Sequence, residues 1–189
     1  MLSLLIYVFV TSITPGPSNL FMMNATRIYG FRDGKNFIFG ILSGFVFLGL
    51  ISYIAVLLFS NYIQYIETPL KYLGFIYLLY LSYKILTSNN GKTTSKAYKS
   101  FKSGFILQVL NMKSLLFFIT LVGAFIIPMA TDSTWVLIDL IISVFIGWAC
   151  LLIWAFAGSV LNEWLTRHQT AFNIVMALLI LYSAISIFI

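Results

Sequence analysis

Two long stretches of this chain, residues 2–23 and 37–59, carry no charged side chain. Each is as long as the roughly 20 apolar residues a helix needs to cross the hydrocarbon core of a bilayer. A water-facing domain has about a quarter of its residues charged. Here 61% of the 189 residues are hydrophobic and 8% are charged. Those values exclude a soluble enzyme, a secreted disulfide scaffold and a disordered chain. The one cysteine cannot form an internal disulfide or a paired-cysteine redox site.

The scattered charges mark the edges of further spans. Residues 70–86 read as a third span with Lys71 and Lys84 near its ends, and 104–127 as a fourth that contains Lys113. Residues 135–160 read as a fifth, with Asp139 near its start, and 170–189 as a sixth. Between them lie a short turn with Arg27, Arg32, Asp33 and Lys35, and a closure at Asn61, Gln64, Glu67 and Pro69. A basic loop, 88–102, holds Lys92, Lys96, Lys99 and Lys102, and a polar turn, 128–134, holds Asp132. The expected fold is all-α: a polytopic membrane protein of six transmembrane helices, forming one transporter-like domain over 1–189. A cleavable signal in the first segment is rejected, because a basic n-region is missing and the apolar stretch resumes beyond Pro17.

Lysine and arginine counts in short loops set orientation. The loops after spans one, three and five hold nearly all of them, so those loops are expected in the cytoplasm and both termini outside. That asymmetry explains the net charge of +6 without a nucleic-acid partner. Membrane lipid is the implied surroundings. Six spans divide into halves, 1–87 and 103–189, joined by the basic loop. An odd number of spans per half makes any duplication an inverted 3+3 repeat, the plan of many secondary transporters. Each half opens on a span with a polar interruption, TPGPSN in the first and QVLNMK in the fourth.

These interruptions are where chemistry is expected. Pro15 and Pro17 remove two backbone donors around Gly16, so the first helix should break there. Backbone freed at membrane depth must be buried in protein or line a watery cavity. A half-helix starting at Pro17, with Ser18 and Asn19, would aim its N–H groups into that cavity and favour a carboxylate. A simple kink with tight packing is the other reading. Lys113 lies deep in the fourth span, where a cation faces a partner, a cavity or a substrate, or else snorkels to the interface. Gln108 and Asn111 share one helix face, whereas Lys113 joins them only if the helix is distorted. Gly40 and Gly44 form a small-residue packing motif in span two. Asp139, close to the interfacial anchor Trp135, is expected to reach water. Cys150 reads as a small core residue, and His168 as a solvated one. Metal-ligand clusters, cofactor motifs, Walker loops and protease signatures have no candidate here, so neither cofactor nor enzymatic activity is expected.

The motifs together resemble the LysE/RhtB family of amino-acid exporters. TPGPSN followed by RIYGFRDG looks like the family's opening, and Gly40-x-x-x-Gly44 follows in the expected place. The third span, LKYLGFIYLLYLSYKIL (70–86), the block FKSGFILQVLNMKSLLFFI (101–119) and the closing FNIVMALLILYSAISIF (172–188) are similar as well. TPGPSN, GFR (30–32), QVLNMK and FIIP (125–128) look closest to the subgroup that exports cysteine and O-acetylserine. Two positions depart: Met112 replaces the usual proline between Asn111 and Lys113, and Phe45 stands where many members carry an acidic residue. The resemblance implies efflux of small neutral amino acids across the bacterial cytoplasmic membrane, as a proton antiporter. Read onto this chain, the helix start after Pro17, Asn19 and Lys113 would hold the substrate carboxylate. Gln108 and Asn111, with the carbonyls freed around Pro15 and Gly16, would hold the rest. A channel or ion transporter, a non-transporting membrane subunit and an embedded enzyme stay open as other classes. Homo-oligomer formation is likewise left open.

Overall fold

In lipid a spanning segment must satisfy its own backbone, which leaves helices or closed barrels. The computed structural model describes residues 1–59, 62–87, 96–130, 132–185 and 187–188. These contain helices and no strand. Asn61 and Lys92 lie outside the described residues, as do the side chains of Gln64, Glu67, Lys84 and Lys96. Eight helices organise the rest: α1 (Leu2–Ile13), α2 (Pro17–Phe59), α3 (Ile63–Leu86), α4 (Phe101–Val109), α5 (Met112–Met129), α6 (Ser133–Val160), α7 (Asn162–Arg167) and α8 (Gln169–Ile185). Among the described residues, α2, α5 and α6 are long and apolar enough to cross a membrane, and α1 and α8 are shorter apolar helices.

Local chemistry explains the boundaries. α1 stops ahead of Pro15, and Pro17 opens α2, because a proline at the first helical position lacks only an N–H that would be unpaired anyway. α2 has 43 residues but is bent at Gly30, whose φ of 68° lies in the left-handed region that glycine adopts without strain. Arg27, Arg32, Asp33 and Lys35, expected in a hydrophilic turn, are therefore helical on either side of that single residue. Pro69, expected to close a span, instead lies inside α3, which continues through it with one backbone bond fewer. Asp132 caps α6, its Oδ1 accepting from Thr134 N (2.8 Å) and Trp135 N (3.2 Å). Within α5 the turns from Leu121 to Ile126 widen into a π-helix.

α2 is the hub, with α4, α5 and α6 packed along it, while α3 pairs with α8. The larger apolar core draws on α1, α2, α5 and α6, and a smaller one joins α3 and α8 to the first turns of α2. α2 and α4 approach almost backbone to backbone. A Cβ on Gly40 would strike the Phe101 carbonyl, and one on Gly104 the Phe37 carbonyl. One on Gly44 would lie 2.8 Å from Gln108 Cβ. This glycine seam lays α4 along residues 37–44 of α2, and Ser18 in the first turn of α2 bonds Gln108 near the end of α4, so the break before α2 and the break after α4 face each other.

Candidate functional site

The break between α1 and α2 strands the carbonyls that end α1, and each finds a donor. Thr11 O accepts from Thr14 Oγ1 (2.8 Å), and Ser12 O from Asn19 Nδ2 (3.1 Å). Ile13 O accepts from Trp154 Nε1 (3.0 Å). Thr14 O takes Asn19 Nδ2 (2.9 Å) and Lys113 Nζ (2.9 Å). Pro15 O takes Lys113 Nζ (3.2 Å) and Ser183 Oγ (2.5 Å). Lys113 Nζ also donates to Thr14 Oγ1 (3.0 Å). The ammonium thus rests on three oxygens at the negative end of α1, where a cation is favoured.

The second break lies between α4 and α5. α4 stops at Val109 and α5 restarts at Met112, with Asn111 as its cap: Asn111 Oδ1 accepts from Lys113 N (3.1 Å) and Ser114 N (3.4 Å). The distortion that would let Lys113 join Gln108 and Asn111 is therefore present, without a proline. Asn111 Nδ2 donates to Ser18 Oγ (2.7 Å), and Ser18 Oγ donates to Gln108 Oε1. Ser18 is in this way the hinge of a buried chain from α4 to α5 through the first turn of α2. Gln108 is completely buried, and its Nε2 has no partner. Gly16 lies directly on the lysine stem, since a Cβ there would sit 2.9 Å from Lys113 Cδ.

Gly16, Ser18, Asn19, Asn111 and Lys113 border a cavity of about 30 Å³, walled on its apolar side by Phe45, Phe117, Gly147 and Leu151. That volume holds about one or two waters. An amino acid needs the helices around it to move. Phe45 packs against Phe118 (ring centroids 4.6 Å apart) and Phe117 (6.0 Å), so it serves this wall.

Of the sequence-derived candidates, Pro15, Gly16, Pro17, Asn19, Gln108, Asn111 and Lys113 come together here. Gly40 and Gly44 lie on the seam behind Gln108. Four partners were missed. Thr14 lies within the quoted motif without a role, and Ser18 was read only as part of the helix start; Trp154 and Ser183 come from distant helices, and their only signal is a polar atom in an apolar span. Asp139, expected to reach water, is instead buried, 6% exposed, because α6 carries it on the stripe with Ser143 and Cys150, both buried. Cys150 is a core residue, and His168 is exposed and stacked on Trp164.

Residues 9–189 match the family model described as LysE type translocator. The chain is 30% identical to the cysteine/O-acetylserine efflux protein of Escherichia coli K12 over 96% of its length and 94% of the relative's. The same identity and coverage hold for the proteins of that description from Escherichia coli O139:H28 and Shigella flexneri. No solved structure matches the chain.

Proposed function

Because the chain belongs to the LysE type translocator family, we propose that it exports small neutral amino acids of the cysteine and O-acetylserine kind from the cytoplasm, in exchange for protons. The observation that carries this reading is the position of Lys113, whose ammonium is held by the oxygens of Thr14 and Pro15 and, among the described residues, by no carboxylate. A zwitterion offers a partner to each side of this contact, a carboxylate for the Lys113 ammonium and an ammonium for the α1 carbonyls. Its carboxylate takes Lys113 Nζ and the unpaired N–H groups that open α2, and its ammonium replaces Lys113 on the α1 carbonyls. Gln108 Nε2 is a donor already waiting. Asn19 and Asn111 keep their present bonds and frame the site.

The exchange explains why the closed cavity is so small. Without substrate the polar groups other than Gln108 Nε2 satisfy one another, and a substrate that replaces those contacts opens the space it fills. Six crossings, arranged as an inverted pair of halves 1–87 and 103–189 about the two breaks, suit alternating access of this kind. In that arrangement both termini face outward. A cysteine placed at Lys96 then reacts only with a permeant reagent, whereas one placed at Asp132 reacts from outside.

The test of function is uptake of a labelled amino-acid panel into inverted vesicles, with and without a proton gradient. Cysteine and O-acetylserine should be moved best, and only weakly when the gradient is collapsed. A dication such as lysine competing best contradicts the reading, since the site adds a positive charge of its own.

A further inference from the structure

The cap on α5 fixes the direction of a whole hydrogen-bond chain. Asn111 Oδ1 is engaged by Lys113 N (3.1 Å) and Ser114 N (3.4 Å), so the arm of its amide that meets Ser18 is the nitrogen. Nδ2 donates to Ser18 Oγ (2.7 Å). A serine hydroxyl has a single hydrogen to give. Ser18 gives it to the next member, Gln108, and the atom that accepts it is Oε1. The nitrogen end of the Gln108 amide is left over. It closes the chain as a donor, in a completely buried residue and without a hydrogen-bond partner.

Gln108 is held on its other sides. Its backbone carbonyl accepts from Asn111 N (3.0 Å), which ties it to the self-capped break. Gly44 lies on its stem, since a Cβ there would sit 2.8 Å from Gln108 Cβ and 3.0 Å from Cγ. Its amide oxygen is fixed by Ser18. The residue stands directly behind the cavity wall, because Ser18 and Phe45, the neighbour of Gly44 on α2, both line the cavity. Folded proteins seldom leave a buried donor unpaired, and one that is fixed in place beside a cavity is suited to a ligand's acceptor.

The polarity of the chain says which acceptor. A donor cannot receive the substrate ammonium, which goes to the α1 carbonyls. The carboxylate goes to Lys113 and the start of α2. On O-acetylserine the strong acceptor that remains is the carbonyl of the ester. We propose that Gln108 Nε2 donates to that side-chain carbonyl and so makes the exporter prefer small amino acids that carry one; this rests on the exporter reading above. The carbonyl completes the chain that starts at the α5 cap. A cysteine thiol is a weak acceptor and completes it poorly, so cysteine ranks below O-acetylserine. A site built around a hydrogen bond rejects an analogue without the partner more strongly than an apolar pocket rejects a missing methylene, because the buried group is left unpaired.

The test is binding to the purified full-length protein of two ligands of the same length, O-acetylserine and O-ethylserine, in which a methylene replaces the ester carbonyl. Wild type should prefer O-acetylserine by at least about tenfold. Gln108→Met keeps an unbranched side chain without the donor, and should bind the two within about twofold of each other. Asn111→Asp tests the direction of the chain while leaving Gln108 in place. A carboxylate at that position only accepts, so the Ser18 hydrogen turns to it, and Ser18 Oγ then accepts from Gln108 Nε2. The preference should collapse there too, whatever happens to overall affinity. Equal binding of the two ligands by wild type overturns the proposal, and that comparison needs no variant. An undiminished preference in either variant overturns it as well; if Gln108→Met weakens both ligands by one factor, the donor meets the carboxylate instead. A wild type that binds neither ligand and moves no amino acid overturns the exporter reading, and this proposal with it.

Discussion

The two helix breaks meet at one site but are made by different means. At the first, prolines delete donors, and the stranded carbonyls of α1 are satisfied by Asn19 close by and from afar by Lys113, Trp154 and Ser183. At the second, Asn111 caps the helix that follows it, and Leu110 N and Asn111 N bond back to the end of α4. The first break depends on tertiary structure, and the second is largely local. Polar backbone held by distant side chains can be released when those side chains are drawn to a ligand. A self-capped break stays put. The first is thus suited to be the moving part and the second its fixed frame.

The largest effect should come from removing the shared cation. Lys113→Met deletes a charge-assisted contact of about 1.5–3 kcal/mol, a ten- to hundredfold loss in substrate affinity in binding or counterflow. Folding should survive, because Thr14 O keeps Asn19 and Pro15 O keeps Ser183. Gly16→Ala tests the same break from its other side. The new methyl group would displace the lysine stem, and affinity should fall about tenfold with expression little changed, a step of about 1.4 kcal/mol.

At the second break the expectation is a loss of stability. Asn111→Ala removes a cap worth about 1 kcal/mol and should lower the melting temperature by about 2–4 °C. If Asn111→Ala left the melting temperature untouched and Lys113→Met unfolded the protein, the contrast between the breaks would be reversed.

The smallest effect concerns the approach to α4. There Lys99 Nζ donates to Asp33 Oδ2 (3.0 Å), and this hydrogen bond with its charge holds the Asp33 carboxyl below the usual carboxylate range. A depressed carboxyl contributes stability above its unfolded pKa and loses it as pH falls through the folded one. The pair is exposed, so Asp33→Asn should change thermal stability at neutral pH only slightly, with the difference from wild type vanishing in acid.

Pro15-Gly16-Pro17 was legible as a break because proline acts through its own covalent structure, whatever surrounds it. Lys113 stood out by the same logic, as a charge where charge is costly. The second break was legible only as a polar interruption. Met112 is not a proline, and the capping role of Asn111 depends on a rotamer that sequence does not state. The helical turns around Gly30 were hidden because arginine, aspartate and lysine on an exposed helix look like a loop. Asp139 was misread from its distance to Trp135, when its spacing of four to Ser143 and eleven to Cys150 already placed it on a buried stripe. The donors Trp154 and Ser183 could not be assigned, since only the folded bundle brings them to α1.

If a substrate carboxylate takes Lys113 from the α1 carbonyls, a thermodynamic cycle on the two partners will show it. Binding of O-acetylserine and of its carboxamide analogue would be measured on purified wild type and Lys113→Met. Wild type should prefer the carboxylate by about ten- to hundredfold, and Lys113→Met should bind both about equally, leaving a coupling of about 1.4–2.8 kcal/mol. Equal discrimination by both proteins would show that the carboxylate never meets Lys113, and the account of the moving break would be wrong.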